Sequence, residues 1–83
     1  PSEGGWSIIV ASRTDRSGAE SVVQTYRDRF DDPTLPMGLV EATVNNTTRY
    51  RVGIGQFSSR NDARSFLNDH KDELPSGAWP VRL

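Results

Sequence analysis

The sequence predicts an α+β sandwich, in which two helices cover one face of a four-stranded antiparallel sheet, and three observations carry that prediction. Several short runs alternate apolar and polar residues with period two, the pattern of half-buried strands. Two longer stretches place apolar residues three and four apart, the pattern of amphipathic helices. The third observation is an internal repeat: "WSIIVASRTDRSGAESVV" lies over "YRVGIGQFSSRNDARSFL" with no gap and a constant shift of forty-four positions. Trp6 falls on Tyr50, Ile8 on Val52, Val10 on Ile54, Ala19 on Ala63 and Val23 on Leu67, and the match runs on to Tyr26 over His70 and Phe30 over Leu74. Solenoids need at least three stacked units, so two copies describe one domain of matching halves.

The elements follow in order. Trp6 to Ser12 alternates and is rich in β-branched residues, which makes a strand with Trp6, Ile8 and Val10 on one face and Ser7, Ile9 and Ala11 on the other. A helix follows, its stripe formed by Ala19, Val22, Val23, Tyr26 and Phe30, capped by Asp15 or by Ser17 with Glu20 as a capping box. Pro33 and Pro36 in "DDPTLPMG" stop it. "LVEATV" is a second strand and "NNTT" a turn, since asparagine tolerates left-handed backbone angles. Thr48 to Gly55 is a third strand, with Tyr50, Val52 and Ile54 inward and Arg49, Arg51 and Gly53 outward. The second helix carries Ala63, Phe66, Leu67, His70 and Leu74 on its stripe, with Ser59 as cap, and "PSG" ends it. "AWPVRL" is a last strand, confined to an edge because Pro80 has no N–H to give a ladder. The order strand-helix-strand-strand-helix-strand, with one apolar face per element, fits the split βαβ arrangement: a ferredoxin-like or ribonucleoprotein-like sheet in the order 4-1-3-2, bare on its far side.

Composition removes several function classes. Eighty-three residues make one domain, expected over residues 6–83, with the linker-like "PSEGG" of residues 1–5 ahead of it. Without cysteine there is neither a disulfide nor a thiolate metal site. A formal charge of −1 argues against broad phosphate-backbone binding. No apolar run approaches the length of a membrane span. His70 is the one histidine and falls on a helix stripe, a structural position, so no metal, cofactor or catalytic constellation is expected. The "GIG" at Gly53–Gly55 is no dinucleotide fingerprint, because Ser58 stands where a third glycine is needed.

With the strands and helices placed, the residues resemble those of the SPOR domain family. Its second half typically reads aromatic, Arg-Val, a variable residue, hydrophobic, Gly, Pro, Phe, then a helix with an early alanine. Arg51, Val52, Gly55, Phe57 and Ala63 match, with Gln56 in the place of the proline. The first half resembles the opening strand Gln-hydrophobic-Gly-Ser-Phe more loosely: Ser12 matches the serine, Ala11 and Arg13 replace the glycine and aromatic, and Ile9 stands where the glutamine lies. The resemblance spans Trp6 to the end of the chain. It implies a non-catalytic module of the bacterial cell envelope, in the periplasm, within a larger protein that is usually membrane-anchored. It further implies binding to peptidoglycan glycan strands stripped of their stem peptides, which direct such proteins to the division septum, with glycan held on the open sheet face by the strand glutamine, the serine and the third-strand arginine.

The residue pattern gives a separate reason for a site on that face. Arg51 and Arg49 project from a central strand, and guanidinium offers several donors in a fixed plane to sugar hydroxyls and acetamido carbonyls. Gly53 beside them leaves room for a ligand to approach the backbone. Ser7 and Ile9 join them from the first strand by alternation, and the resemblance adds Ser12 at its end. Isoleucine cannot make a glutamine's hydrogen bonds and offers a sugar ring only apolar contact, so weaker or differently specified glycan binding is expected. Trp79 is either a stacking platform for a sugar or, grouped with Val81 and Leu83 by strict alternation, a core residue. Two other functions suit the same sheet: single-stranded nucleic-acid binding, disfavoured because the outward positions Ile9, Ala11, Arg51 and Gly53 hold no aromatic, and protein interaction, for which symmetric dimers would speak. A monomer that touches neither nucleic acid nor membrane is expected.

Overall fold

The computed structural model describes residues 5–83. Its order is β1 (Trp6–Arg13), α1 (Arg16–Phe30), β2 (Met37–Val44), β3 (Thr47–Phe57), α2 (Arg60–Asp69) and β4 (Trp79–Arg82). One antiparallel sheet runs β2-β3-β1-β4, which is the expected 4-1-3-2 read from the opposite edge. Both helices pack on the same side. Beneath them one cluster gathers Ile8, Tyr26, Ile54, Ala63 and Leu74, and a second gathers Ala19, Val23 and Val52. Burying an aliphatic side chain of this size stabilises the fold by about 1.5–3 kcal/mol each. Trp6 packs against the first cluster and Tyr50 against the second.

The two helices begin at equivalent points of the repeat. Asp15 caps α1, its carboxylate accepting the Gly18 N–H at 2.7 Å, and Ser59 caps α2, its hydroxyl accepting the Asp62 N–H at 3.1 Å. Ser17 therefore lies inside the first turn of α1 and is not the cap; the charged acceptor of Asp15 makes the stronger bond. The helices end differently. α1 runs to Phe30 and closes on Asp31 in the left-handed region, whereas α2 stops at Asp69 with His70 as its cap, short of Leu74. Leu74 still reaches the core, but from the turn that follows. At this end Phe30, Phe57, Phe66 and His70 form an aromatic seam, His70 stacking on Phe66 at 4.2 Å between centroids. Arg29 donates to the Glu73 carbonyl at 2.9 Å and lies over the Tyr26 ring, which ties α1 to the turn before β4.

Two irregularities shape the central pair. Between Ile9 and Ala11, β1 advances two residues while β3 advances one, from Gly53 to Val52. Val10 is the extra residue of this bulge. Both Val10 and Ala11 consequently pack on the helix side, and Ser12 turns outward opposite Arg51. This corrects the strict alternation that put Ala11 on the open face. The second irregularity falls between Ile54 and Phe57, where Gly55 takes φ 79° and donates its N–H to the Pro36 carbonyl at 2.7 Å.

Ile9 and Gly53 are related by the repeat and are also cross-strand partners, so the approximate two-fold axis of the domain passes between them. At the sheet's other edge Gly5 is buried, and its carbonyl accepts the Leu83 N–H at 2.8 Å, which continues the β1–β4 ladder. The rest of the expected linker, residues 1–4, lies outside the described residues.

Two stability predictions follow from this geometry. Gly55→Ala places a Cβ in the left-handed region against the Phe57 ring, and a lowered urea midpoint corresponding to at least about 1 kcal/mol is expected. In the turn after α1, Asp32 accepts from the Thr34 hydroxyl at 2.6 Å and the Thr34 N–H at 3.0 Å, and these bonds hold its carboxyl below the ordinary 3.8. A carboxyl lowered on folding contributes stability above its unfolded pKa and loses it as pH falls through the folded one. The acid limb of a urea-midpoint titration is therefore expected to lose a component below pH 3.8 in Asp32→Ala.

Candidate functional site

The face away from the helices is organised by register. Asn45 and Asn46 both adopt positive φ, 52° and 65°, the backbone of a two-residue hairpin turn whose twist suits the strands it joins. That turn fixes Gly38 opposite Gly53, Val40 opposite Arg51 and Ala42 opposite Arg49. On β1, Ile9 is opposite Gly53 on one side and opposite Trp79 on the other. One row thus crosses all four strands: Gly38, Gly53, Ile9, Trp79. With strands about 4.8 Å apart it spans about 14 Å. A neighbouring row runs Val40, Arg51, Ser12.

The seven residues singled out in the sequence meet on this face, but in different states. Arg49 is exposed and Arg51 half-buried, and among the described residues neither guanidinium enters an ion pair. Trp79 is 43% exposed opposite Ile9, which settles its orientation outward rather than into the core. Its companions Val81 and Leu83 belong to neither core cluster. Ile9 is fully buried, yet it too belongs to neither cluster; it is covered on the outer face and presents no surface of its own. The apolar surface of the row is therefore that of Trp79.

The two serines contrast. Ser7 is buried, and its hydroxyl donates to the Ile54 carbonyl at 3.2 Å. A Cβ on Gly53 would come within 2.7 Å of that hydroxyl, so Gly53 is glycine to make room for Ser7. Ser12, carried outward by the bulge, has a buried hydroxyl with no hydrogen-bond partner. An unpartnered buried hydroxyl costs stability, and this one sits in the row of Arg51, its cross-strand partner.

Over Gly38 and Gly53 the face sinks into a trough of about 170 Å³, lined by Ser7, Gly38, Val40, Gly53, Gln56 and Leu83. The sequence reading passed over Gly38, Val40, Gln56 and Leu83. The signal for Gly38 was present: counting back from a two-residue Asn-Asn turn places it opposite Gly53. Nothing in the sequence marks Leu83, whose position depends on how β4 docks. His70 lies among the aromatic residues of the helix side, away from this face. Among the described residues no group of three histidines or carboxylates is placed to hold a metal ion, and no helix is long and apolar enough to cross a membrane.

Comparison with known proteins gives two matches. The family described as "SPOR domain" matches residues 2–79. The peptidoglycan-binding domain of the B. subtilis cell wall lytic enzyme CwlC, a solution structure, superposes with a TM-score of 0.55 at 17% sequence identity, covering 100% of this chain and 91% of that one. At that identity the likeness speaks for the fold. No curated protein matches the chain.

The serines yield opposite expectations in denaturation. Ser7→Ala leaves the Ile54 carbonyl without its side-chain donor, at a cost of about 1 kcal/mol. Ser12→Ala removes an orphan and is expected to leave stability unchanged or raise it by up to about 1 kcal/mol. A loss of 1 kcal/mol or more in Ser12→Ala, measured by urea unfolding, would mean that its hydroxyl has a partner.

Proposed function

The chain belongs to the SPOR domain family, and from that premise we propose that residues 6–83 form a non-catalytic peptidoglycan-binding module of the bacterial cell envelope. Its ligand is the glycan strand freed of stem peptides, and binding directs a larger, membrane-anchored parent protein to the division septum. The domain acts as a monomer in the periplasm and takes no cofactor.

The observation that carries this reading is the pairing of donors and platform on one face. Arg49 and Arg51 offer planar N–H arrays, Ser12 an unspent hydroxyl, and Trp79 an exposed indole two strands from Arg51. Sugars present hydroxyls around their rim and C–H groups on their faces, and these two surfaces meet donors and an indole respectively. A peptide-bearing strand is bulkier above the sheet. The relative whose structure is superposable is described as a peptidoglycan-binding domain, which supports the same ligand class. On this side the central strands carry Ser12, Arg51 and Gly53 with Ile9 buried beside them, without the paired aromatics on which RNA-binding sheets stack bases.

Co-sedimentation with purified sacculi, before and after an amidase strips the stem peptides, tests the proposal. Enrichment on the stripped material is expected, with Arg51→Ala reducing it at least tenfold (about 1.4 kcal/mol, the scale of a hydrogen bond to a charged group) while its unfolding curve stays unchanged. Equal binding to both preparations would remove the preference for peptide-free strands. Binding to neither would remove the function.

A further inference from the structure

Gly38 is a glycine without an internal reason. Gly53 is required by the Ser7 hydroxyl, Gly55 by its φ of 79°, and Gly18 by the Asp15 carboxylate 3.0 Å from where its Cβ would be. Gly38 has no positive φ, and a Cβ there would meet nothing within 4 Å. It lies inside an edge strand, where glycine forfeits stability through backbone entropy and the loss of a packing side chain. A side chain would fit the fold; it would also fill the trough.

The approximate two-fold axis sharpens the point. Across it, Gly53 corresponds to Ile9, and their outer partners correspond in turn, Gly38 to Trp79. One half of the row is thus filled by isoleucine and indole, and the equivalent half is left with two hydrogens. The emptiness lies over Gly38 and Gly53 and reaches Ser7 and Leu83, with Arg51 two residues before Gly53 on the same face of β3.

We propose that the trough over Gly38 and Gly53 is the subsite for the acetamido substituent of one hexosamine, which makes Gly38 a specificity-determining residue; this rests on the glycan-binding reading above. The depression, about 170 Å³ and walled from β2, β3, β1 and the end of the chain after β4, has room for a substituent of acetamido size. Its walls supply what an acetamido group needs. The apolar side chains of Val40 and Leu83 suit the methyl, and the Gln56 amide at the rim can both donate to and accept from the substituent's amide. A neighbouring sugar of the same strand then reaches Trp79, two strands from Gly53 and about 10 Å away.

The test uses glycan strands released by amidase treatment, intact and after chemical N-deacetylation, with titration calorimetry on wild type, Gly38→Val and Gly38→Ala. Because valine favours strands and the site has room, Gly38→Val is expected to hold or raise the urea midpoint while its affinity for intact strands falls at least tenfold, with Gly38→Ala intermediate. Wild type is expected to lose at least tenfold on deacetylation, and Gly38→Val to lose little further. Repulsion between new ammonium groups and Arg51 would instead weaken both proteins alike, and that result overturns the subsite. So does wild-type affinity in Gly38→Val, or equal binding of both strand types by wild type. If Arg51→Ala abolishes binding while Gly38→Val keeps it, the subsite fails and the glycan-binding function stands. Failure of wild type to bind any strand overturns both.

Discussion

Hydrogen bonding between β1 and β3 is the constraint on which the rest of the structure depends. The two strands form the centre of the sheet, carry the inward residues Ile8, Val52 and Ile54, and hold an edge strand each. Their ladder is also where the outer face is decided. A side chain's face follows from its register, and one unpaired residue reverses every position beyond it. The bulge at Val10 does this to the end of β1: it delivers Ala11 to the core and Ser12 to the open side. The cooperative pairing of a small sheet and the placement of its polar groups are therefore one problem with one solution.

The duplicated plan has been put to unequal use. Both halves keep the same strand-to-helix transition, with a polar side chain capping each helix at the equivalent position. On the helix side the halves remain alike, with Ala19 and Ala63, equivalent in the repeat, both fully buried. On the outer side they diverge, since no packing partner enforces similarity there. Sequence symmetry is retained where the core demands it and lost where a ligand would be met.

Much of this was legible from residue order. Alternation in β3 gave the correct faces for Tyr50, Arg51, Val52 and Gly53, because glycine and arginine on one side and aliphatics on the other leave one arrangement. Pro80 gave the edge position of β4. What was not legible came from backbone irregularity. Val10 has no side-chain feature that announces a bulge; it is enforced by competition between covering the helix side with both Val10 and Ala11 and preserving the ladder. The orientation of Trp79 depends on β4 pairing with β1 in one register, a long-range choice with no local marker. The length of α2 was overestimated because Leu74 continues the apolar periodicity from within a turn, where it fills the core as a helical leucine would.

The bond from the Leu83 N–H to the Gly5 carbonyl has a mechanical consequence. It places the entering and leaving ends of the fold side by side on adjacent antiparallel strands, with β4 the shorter and outermost of the two. Tension drawn between those ends loads the ladder one rung at a time, as in opening a zipper, instead of shearing all rungs together. β4 would peel away first, taking Trp79 with it, while the β2–β3–β1 core stays folded. An extending load would then disturb the outer face at Trp79 before it reached the central pair of strands.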